Sequence, residues 1–313
     1  MRTLGKSGIQ VSSLCFGTLT MTPFQANLSV KDGAALICRG FEKGINFVDT
    51  AEIYENYNYI KEALKSIPRK DLVIATKCYA YDEKGAEKSL KYALEELGVD
   101  YIDIMLLHEQ ESEHTLRGHY PALEYFFKQK EKGWIRATGI STHFIRCVNA
   151  AKKYEEIEVV HPIINKRGIG IQDGTVLEMV DAIKSLKENG VGIYSMKALG
   201  GGHLQSQAIE AIEWIKSIPY IDATAVGMQS IDEVDFNCDL FFHHHVNEDL
   251  EEKVRKKERH LIIADYCIGC GNCVKRCKQD AIHVVEGKAQ VNESCILCGY
   301  CATVCPEFCI KVI

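Results

Sequence analysis

The sequence predicts an α/β protein, a (β/α)8 TIM barrel followed by a small α+β domain. From Ser12 to about Met228, short apolar segments alternate with amphipathic helical patterns eight times, and a (β/α)8 barrel typically takes ~250 residues. The first predicted strand is not followed by G-x-G-x-x-G, which disfavours a doubly wound open sheet, the alternative architecture. Beyond Ile262, eight cysteines lie in two short runs, and these runs predict the second domain.

The helices that separate the predicted strands show clear periodicity. Ala86 to Leu97 carries apolar residues at three- and four-residue spacing, and Val176 to Glu188 ends at Asn189-Gly190, as helices commonly do. Three glycines, Gly200 to Gly202, follow the seventh strand, where barrels frequently bind phosphate. The eight predicted strands read SLCFGT, INFVDT, LVIATKC, IDIMLLH, IRATGIS, EVVHPII, VGIYSMK and DATAVGM.

The composition sets limits on the partners. The chain has 313 residues, is 46% hydrophobic and 26% charged, and carries a net charge of -6 from well-mixed signs. A mildly acidic surface without basic blocks predicts no nucleic acid partner and no membrane partner. The opening MRTLGKSGIQVSSLCFG lacks the apolar stretch of a signal peptide, and no window approaches 18 apolar residues. We therefore expect a cytoplasmic protein.

The cysteine runs predict iron-sulfur clusters. Each run has the spacing C-x2-C-x2-C-x3-C, which is the signature of bacterial dicluster ferredoxins, where the fourth cysteine of each run binds the other cluster. The resemblance to a dicluster ferredoxin covers residues 262–313. Crossing the ligands predicts one 4Fe-4S cluster on Cys267, Cys270, Cys273 and Cys305, and a second on Cys295, Cys298, Cys301 and Cys277.

The alternatives for these cysteines are zinc and disulfides. Zinc sites usually combine separated C-x2-C pairs rather than triplets with a trailing fourth cysteine, and disulfides are rare in a reducing cytosol. Cys309 lies outside the pattern, so we expect a buried apolar thiol there. Lys278 follows Cys277 where ferredoxins commonly have proline, and this cation is expected to raise the potential of the second cluster without removing a ligand.

Three neighbouring strands each end at an ionisable residue. Asp49 follows INFV, Lys77 follows LVIAT and His108 follows IDIMLL, with Tyr54 in the loop after Asp49. In a (β/α)8 barrel the chemistry is located at the carboxyl ends of the strands. Each residue alone also fits a structural role, as an N-cap, a surface lysine, a core histidine or a packing tyrosine. Together they predict an active site at one rim.

The motifs around these residues resemble those of one enzyme family. VDTAEIY, IATK, LLH and GWIRATGIST, with the opening RTLGKSGIQVSSLCFGT, are similar to the aldo-keto reductase family over residues 1–237. The resemblance implies a catalytic tetrad of Asp49, Tyr54, Lys77 and His108, and the reduction of a carbonyl by hydride from a nicotinamide.

Physical chemistry gives each tetrad residue a role in this reaction. Hydride arriving at a carbonyl carbon leaves negative charge on the oxygen, which donors must stabilise. Tyr54 is the candidate acid, and a nearby Lys77 ammonium is expected to lower the pKa of its phenol from ~10. Asp49 would keep Lys77 charged and in place, and His108 would orient the carbonyl oxygen by a hydrogen bond.

The resemblance also implies a site for the nicotinamide, NAD(H) or NADP(H). Ser141 and Thr142 stand where the family holds the carboxamide, and His161 replaces its glutamine. Met196, followed by Lys197, stands where an aromatic ring often stacks on the nicotinamide.

The adenosine end of that site is expected in GMQSIDEVDFNCDL. Ser230 and Asn237 match the stretch that holds the adenosine phosphate, but Glu233 stands where an arginine would bind the 2'-phosphate. A carboxylate repels a phosphate, so NAD is favoured over NADP. The alternative for Glu233 is a solvated helix face.

A helical linker over residues 238–261 is expected between the barrel, residues 1–237, and the ferredoxin domain. Five acidic and five basic residues between Glu248 and His260 predict a solvated helix there. His243 to His245 lack cysteine or carboxylate at ligand spacing, which favours a loop or helix start over a metal site.

Three functions are consistent with these features. The first is a carbonyl reductase or alcohol dehydrogenase whose electrons pass through its own clusters, with a redox protein such as ferredoxin as a partner. The second is a flavin-assisted or nicotinamide-free oxidoreductase, since clusters move single electrons and a nicotinamide gives a hydride. The third is an electron-transfer subunit with a non-catalytic barrel, which the complete tetrad disfavours.

Overall fold

Eight parallel strands form a closed barrel in the computed structural model, which describes residues 1–243 and 246–313. A hairpin of β1 (Arg2–Thr3) and β2 (Gln10–Val11) precedes the barrel. Each barrel strand pairs with the next along the chain, and the last pairs with the first. The barrel strands are β3 (Leu14–Gly17), β4 (Phe47–Asp49), β5 (Val73–Cys78), β6 (Ile102–Leu107), β7 (Ile135–Thr142), β8 (Val159–Pro162), β9 (Gly192–Ser195) and β10 (Ala223–Gly227).

Helices surround the barrel and begin at recognisable caps. Helix α3 begins before the predicted Ala86, because the Asp82 side chain accepts a hydrogen bond from the Gly85 amide at 2.8 Å. Helix α7 has the predicted bounds, with Thr175 and Glu178 forming a capping box. The helices of the barrel are α1 (Val30–Glu42), α2 (Tyr57–Ala63), α3 (Glu83–Leu97), α4 (Glu113–Gly118), α5 (Tyr120–Glu131), α6 (Ile145–Ala151), α7 (Val176–Glu188), α8 (Ala208–Lys216) and α9 (Ile231–Cys238).

The amino-terminal hairpin closes one end of the barrel. Lys6 donates its amide to the Gly190 carbonyl at 2.6 Å, and a Cβ at Gly5 would lie 2.2 Å from the Gly192 nitrogen. Leu4 and Ile9 are buried with Phe47 inside the barrel. The amino-terminal ends of the strands are therefore covered, and the carboxyl ends form the other rim.

The linker, residues 238–261, which we call the connector, and a small domain follow the barrel. A π-helical turn (Asp239–His243) and α10 (Glu248–Lys256) lead into it; of the triplet His243 to His245, the last two residues lie outside the described part of the chain. Strand β11 pairs antiparallel with the carboxyl-terminal β14, and β12 with β13. The remaining elements are β11 (Leu261–Ile263), α11 (Asn272–Arg276), β12 (Ile282–Val285), β13 (Lys288–Val291) and β14 (Ile310–Val312).

None of the helices in the described residues is long and apolar enough to cross a membrane.

Candidate functional site

The barrel brings the four predicted tetrad residues together at the carboxyl ends of three adjacent strands. Asp49 is the last residue of β4, Lys77 lies near the end of β5 and His108 directly follows β6. Tyr54 ends a short 3-10 turn after β4, and its successor Glu55 has a left-handed backbone with φ 52°. Neighbouring parallel strands end at one rim, so the side chains converge although 59 positions separate the first residue from the last.

Asp49 and Lys77 form a buried ion pair. The Lys77 ammonium donates to Asp49 Oδ2 at 2.8 Å and to the Thr50 carbonyl at 2.7 Å. The other oxygen of Asp49 accepts a hydrogen bond from the Tyr194 hydroxyl at 2.9 Å. A buried ion pair needs such additional hydrogen bonds to offset the loss of hydration. Lys77 is thereby held in one position.

Tyr54 lies against both Lys77 and His108. The Lys77 Nζ is 5.2 Å from the centre of the Tyr54 ring, and the His108 ring makes an edge contact with a centroid distance of 5.9 Å. Burial raises the pKa of Tyr54 well above its ordinary value, and the Asp49 charge adds to the rise. The predicted net lowering of the Tyr54 pKa is therefore wrong, because burial of the phenol dominates the shift. Tyr54 is held in its protonated form.

His108 is a neutral imidazole with an available nitrogen. Burial lowers the pKa of His108 well below its ordinary value, and Lys77 and Lys197 lower it further. Its Nδ1 is buried and has no hydrogen-bond partner in the described residues. The ring stacks on Tyr79 at 4.6 Å, and the Tyr79 hydroxyl donates to Glu109 at 2.6 Å. A neutral imidazole in a fixed orientation can donate one hydrogen bond to a carbonyl oxygen.

Tyr194 is a residue of this site that the sequence analysis missed. It is fully buried inside the barrel, donates to Asp49 and stacks on His161 with a centroid distance of 3.9 Å. His161 donates Nδ1–H to the Tyr194 carbonyl at 2.6 Å, and burial lowers the pKa of His161 to about 4. Strand alternation could have indicated Tyr194, because it lies two residues before Met196 and residues two apart point to the same side of an extended chain.

The side chains predicted to hold the nicotinamide make contacts within the chain. Ser141 Oγ accepts from the Glu109 amide at 2.8 Å, and Thr142 Oγ1 accepts from the Phe144 amide at 3.0 Å. Met196 is partly buried and its amide donates to the Pro162 carbonyl at 3.0 Å. These positions lie at the rim as expected, and their role toward a nucleotide remains a prediction.

In the region predicted to bind the adenosine end of the nucleotide, α9 contacts the connector. Glu233 is 6% exposed, which rules out the solvated face, and it pairs with Lys257 at 3.0 Å and Arg259 at 3.2 Å. Ser230 caps α9 by accepting from the Glu233 amide at 3.3 Å, and Asn237 donates to the Glu233 carbonyl at 2.7 Å. The connector is thus bound to the barrel at Lys257 and Arg259 rather than solvated throughout.

The loop after β9 is covered by the carboxyl-terminal strand. A Cβ at Gly202 would lie 2.0 Å from the Val312 carbonyl oxygen, and one at Gly201 would lie 3.1 Å from the Phe308 ring. His203 Nε2 donates to the Ile310 carbonyl at 3.1 Å. The phosphate loops of barrels follow the seventh and eighth strands. Both places are here in contact with later parts of the chain, the first with β14 and the second with the connector.

The cysteines line two separate pockets. Within the described residues, no three Cys, His, Asp or Glu side chains converge as a single metal ion requires; each set instead encloses a space. The first cage is lined by Cys267, Cys270, Cys273 and Cys305, and the second by Cys277, Cys295, Cys298 and Cys301. The two sets match the crossed ligand sets, and their thiolates are the ligands that 4Fe-4S clusters require.

Backbone groups and a ninth cysteine complete the cages. The Ala289 amide donates to Cys267 Sγ and the Ala281 amide to Cys277 Sγ, both at 3.4 Å. Cys309 is buried as expected but also lines the first cage, with its Sγ 3.4 Å from Cys305 Sγ. Hydrogen bonds to ligand sulfurs are one way in which proteins set cluster potentials.

The first cage lies next to the barrel rim. Phe308 follows Cys305 in the chain, and its ring centre is 4.3 Å from Lys197 Nζ and 6.1 Å from the ring centre of His143. Gln172, in the loop between β8 and α7, donates to the Pro306 carbonyl at 2.8 Å. Tyr266, which precedes Cys267, contributes to raising the pKa of both Tyr54 and Tyr79. The small domain therefore covers the rim that carries the tetrad.

Comparisons with known proteins identify the class that this fold and site define. The aldo/keto reductase family model matches residues 13–216, and a 4Fe-4S dicluster domain model matches residues 259–306. The chain belongs to the aldo/keto reductase family and carries a 4Fe-4S dicluster domain after the barrel. It is an oxidoreductase.

Individual relatives are distant. The chain is 28% identical to L-galactose dehydrogenase of Arabidopsis thaliana over 239 residues, which cover 72% of each chain. It is 26% identical to the methylglyoxal reductase DkgA of Yersinia pestis over 55% of this chain and 64% of that protein. The aldo-keto reductase AKR11C1 from Bacillus halodurans superposes with a TM-score of 0.66 at 20% identity, covering 82% of this chain and 95% of that one. A Bombyx mori aldo-keto reductase in complex with NADP superposes at 0.61 with 15% identity, covering 82% and 92%.

Proposed function

We propose that the chain reduces a small carbonyl compound, or oxidises the corresponding alcohol, with electrons that pass through two 4Fe-4S clusters. The observation that carries the proposal is the position of Phe308, which contacts Lys197 at the tetrad rim and directly precedes Cys309 of the first cage. The cage and the tetrad are therefore adjacent, as electron transfer between them requires.

The tetrad acts on the carbonyl oxygen. Neutral His108 donates a hydrogen bond that orients the oxygen, and Tyr54, kept protonated by burial, delivers its proton as negative charge develops there. The phenolate that results lies beside the Lys77 ammonium, whose attraction favours the charged form. Asp49 holds Lys77 at 2.8 Å throughout.

The crossed cysteine sets would hold the clusters. Reduction of a carbonyl consumes two electrons and two protons: two reduced 4Fe-4S clusters, when bound, would supply one electron each, Tyr54 would supply the proton for the oxygen, and water would supply the proton for the carbon. The second cage is lined by the exposed Cys298 and Ile296. We propose it as the entry point for electrons from a redox protein such as ferredoxin.

A second candidate uses a nicotinamide and is favoured by the Bombyx mori relative in complex with NADP. In this chain the contacts of Glu233 with Lys257 and Arg259 occupy the predicted adenosine end. This candidate therefore requires the connector to move away from α9.

Anaerobic reduction of the purified cluster-containing protein separates the candidates. We expect reduced ferredoxin to bleach the cluster absorbance, and a carbonyl substrate to restore it with formation of the alcohol. Bleaching by NADH or NADPH with turnover would instead support the nicotinamide candidate, and an absorbance spectrum of bound flavin would support a flavin-assisted reaction. Absence of turnover with every donor and a broad panel of carbonyls would contradict the proposed function.

A further inference from the structure

Three basic side chains lie between the tetrad and the first cage. Lys197 Nζ is 2.9 Å from His143 Nε2, and the ammonium groups of Lys197 and Lys311 lie 4.3 and 3.5 Å from the centre of the Phe308 ring. The side chains come from three separate parts of the chain: the loop after β7, the loop after β9 and strand β14. We call Lys197, Lys311 and His143 the basic cluster.

The basic cluster lacks a counter-ion. Lys77 has the Asp49 carboxylate at 2.8 Å, whereas no ion pair within 4.0 Å in the described part of the chain includes Lys197 or Lys311. Burial lowers the pKa of Lys197 to about 8, and burial together with Lys197 lowers the pKa of Lys311 well below its ordinary value. Lys311 is buried and donates to the Phe308 carbonyl, and Lys197 is partly buried. Proteins normally pair cations that are removed from water.

The backbone of Lys197 is also unfavourable. Its φ is 59°, in the left-handed region that non-glycine residues seldom occupy. Such conformations persist where the surrounding structure enforces them, and they concentrate at ligand sites. Lys197 follows the end of β9, on the same rim as the tetrad, and its charge contributes to lowering the pKa of His108. Lys197 is therefore the strained member of the basic cluster, and its charge acts on a tetrad residue.

The two lysines face different anions. Cys305 and Cys309 both act on the charge of Lys311, so the first cage is its neighbour. Among the charged groups that act on Lys197, Lys77 belongs to the tetrad and Glu109 lies in the loop after β6. Lys197, with His143 beside it, is therefore available to bind an anion that enters at the barrel rim.

We propose that Lys197, positioned by His143, binds the carboxylate of a substrate whose carbonyl is held by His108 and Tyr54, which makes the substrate class a short 2-oxo acid or the corresponding 2-hydroxy acid. This inference rests on the proposed function for the reaction but concerns binding alone. A carboxylate adjacent to the carbonyl suits two groups that stand on one rim. It also provides the counter-ion that the basic cluster lacks.

The test measures binding of pyruvate and of 2,3-butanedione, in which a neutral acetyl group replaces the carboxylate. Anaerobic calorimetry on the oxidised cluster-containing protein, without an electron donor, excludes turnover. We expect pyruvate to bind about 10- to 100-fold more tightly, as a charge-assisted hydrogen bond implies. Equal affinity for the two compounds in the unaltered protein would overturn the inference.

Variants of Lys197 test whether this residue binds the carboxylate. Lys197→Met should remove the preference for pyruvate, and Lys197→Arg should retain it. The control is Lys166→Met, which removes an ion pair between a partly exposed lysine and Glu210 and should leave the preference unchanged. A Lys197→Met protein that shifts the cluster potential in an EPR titration yet keeps the preference would also overturn the inference, since the lysine would then serve the cage. Pyruvate binding without reduction by any donor would contradict the proposed function only. Reduction of butanedione without any preference for pyruvate would contradict this inference only.

Discussion

Asp49 organises the candidate active site at the scale of single residues. One carboxylate oxygen bonds to Lys77 and the other to Tyr194, so both oxygens are engaged inside the barrel. His161, whose Nε2 is 3.7 Å from Asp49, stacks on the same tyrosine. Burial and the Asp49 charge keep Tyr54 protonated in the resting site.

Replacing Tyr54 with phenylalanine tests its role as the acid. Tyr54→Phe keeps the ring contact with His108 but removes the proton, so turnover should fall by about 10²- to 10⁴-fold, the usual range for a lost general acid. Pyruvate affinity in calorimetry should change little. The matched control is Tyr120→Phe, whose hydroxyl bonds to Glu156 on the outside of the barrel. A loss of binding with turnover per bound substrate intact would assign Tyr54 to binding instead.

The pH dependence of pyruvate binding tests Lys197. Burial lowers its pKa to about 8, with Glu109 opposing and Lys77 adding to the shift, while His143 and Lys311 also face it. Only the protonated lysine binds an anion, so affinity should be constant at lower pH and fall as pH rises through about 8. Calorimetry across this range should show the decrease. The Lys197→Arg protein should bind evenly to higher pH, because guanidinium does not titrate there; the same decrease in that variant would exclude Lys197 as its cause.

The cysteine runs act as paired elements, because each cage takes three thiolates from one run and a fourth from the other. The same exchange joins the two halves of the small domain, together with the pairing of β11 with β14. The spacing alone predicts both sets, since a C-x2-C-x2-C loop supplies three neighbouring ligands and the fourth follows a short helix.

Double substitutions test the crossed ligand sets. If the sets are crossed, Cys267→Ala with Cys305→Ala damages one cluster and should leave about four irons per chain, whereas Cys295→Ala with Cys305→Ala damages both and should leave almost none. Iron and acid-labile sulfide analysis with EPR measures the outcome. Cys309→Ala is the control and should keep about eight irons. The reverse pattern for the two double variants would show that each run binds its own cluster.

At the scale of the whole molecule, the contact between the small domain and the barrel links the cysteine cages to the candidate active site. It joins β14 to the loop after β9 and the connector to α9, which are the two places where barrels bind phosphates. One interface thus brings the first cage to the tetrad and covers the predicted dinucleotide surface.

Gly202→Ala should separate the domains. Its φ is 91° and an added Cβ would lie 2.0 Å from the Val312 carbonyl oxygen, so alanine cannot be accommodated while β14 stays in place. We expect proteolysis of the connector to become roughly tenfold faster, since cleavage follows the population of the open form. NADH affinity should rise as the surface is uncovered. Gly133→Ala carries a similar φ of 75° with nothing within 4 Å, and should change neither measurement; proteolysis that is unchanged in Gly202→Ala would contradict the importance of this contact.

Much of the fold and site could be predicted from local pattern. Helix α7 has its predicted bounds because Thr175 and Glu178 form a cap within four residues. The rim positions of Asp49, Lys77 and His108 follow from where apolar strands end. The pKa of Tyr54, the burial of Glu233 and the contact of Tyr194 with Asp49 could not be predicted, because each depends on groups that are distant in sequence.

The amino-acid sequence by itself determined the barrel, the four rim residues and the two cysteine sets, because strand alternation, helix caps and ligand spacing act over a few residues. Only the tertiary structure decided that the small domain covers the rim and that Lys197 and Lys311 meet without a carboxylate beside them. Charge and burial at that junction depend on segments more than 100 positions apart, and desolvation is a property of the assembled surroundings rather than of any one segment.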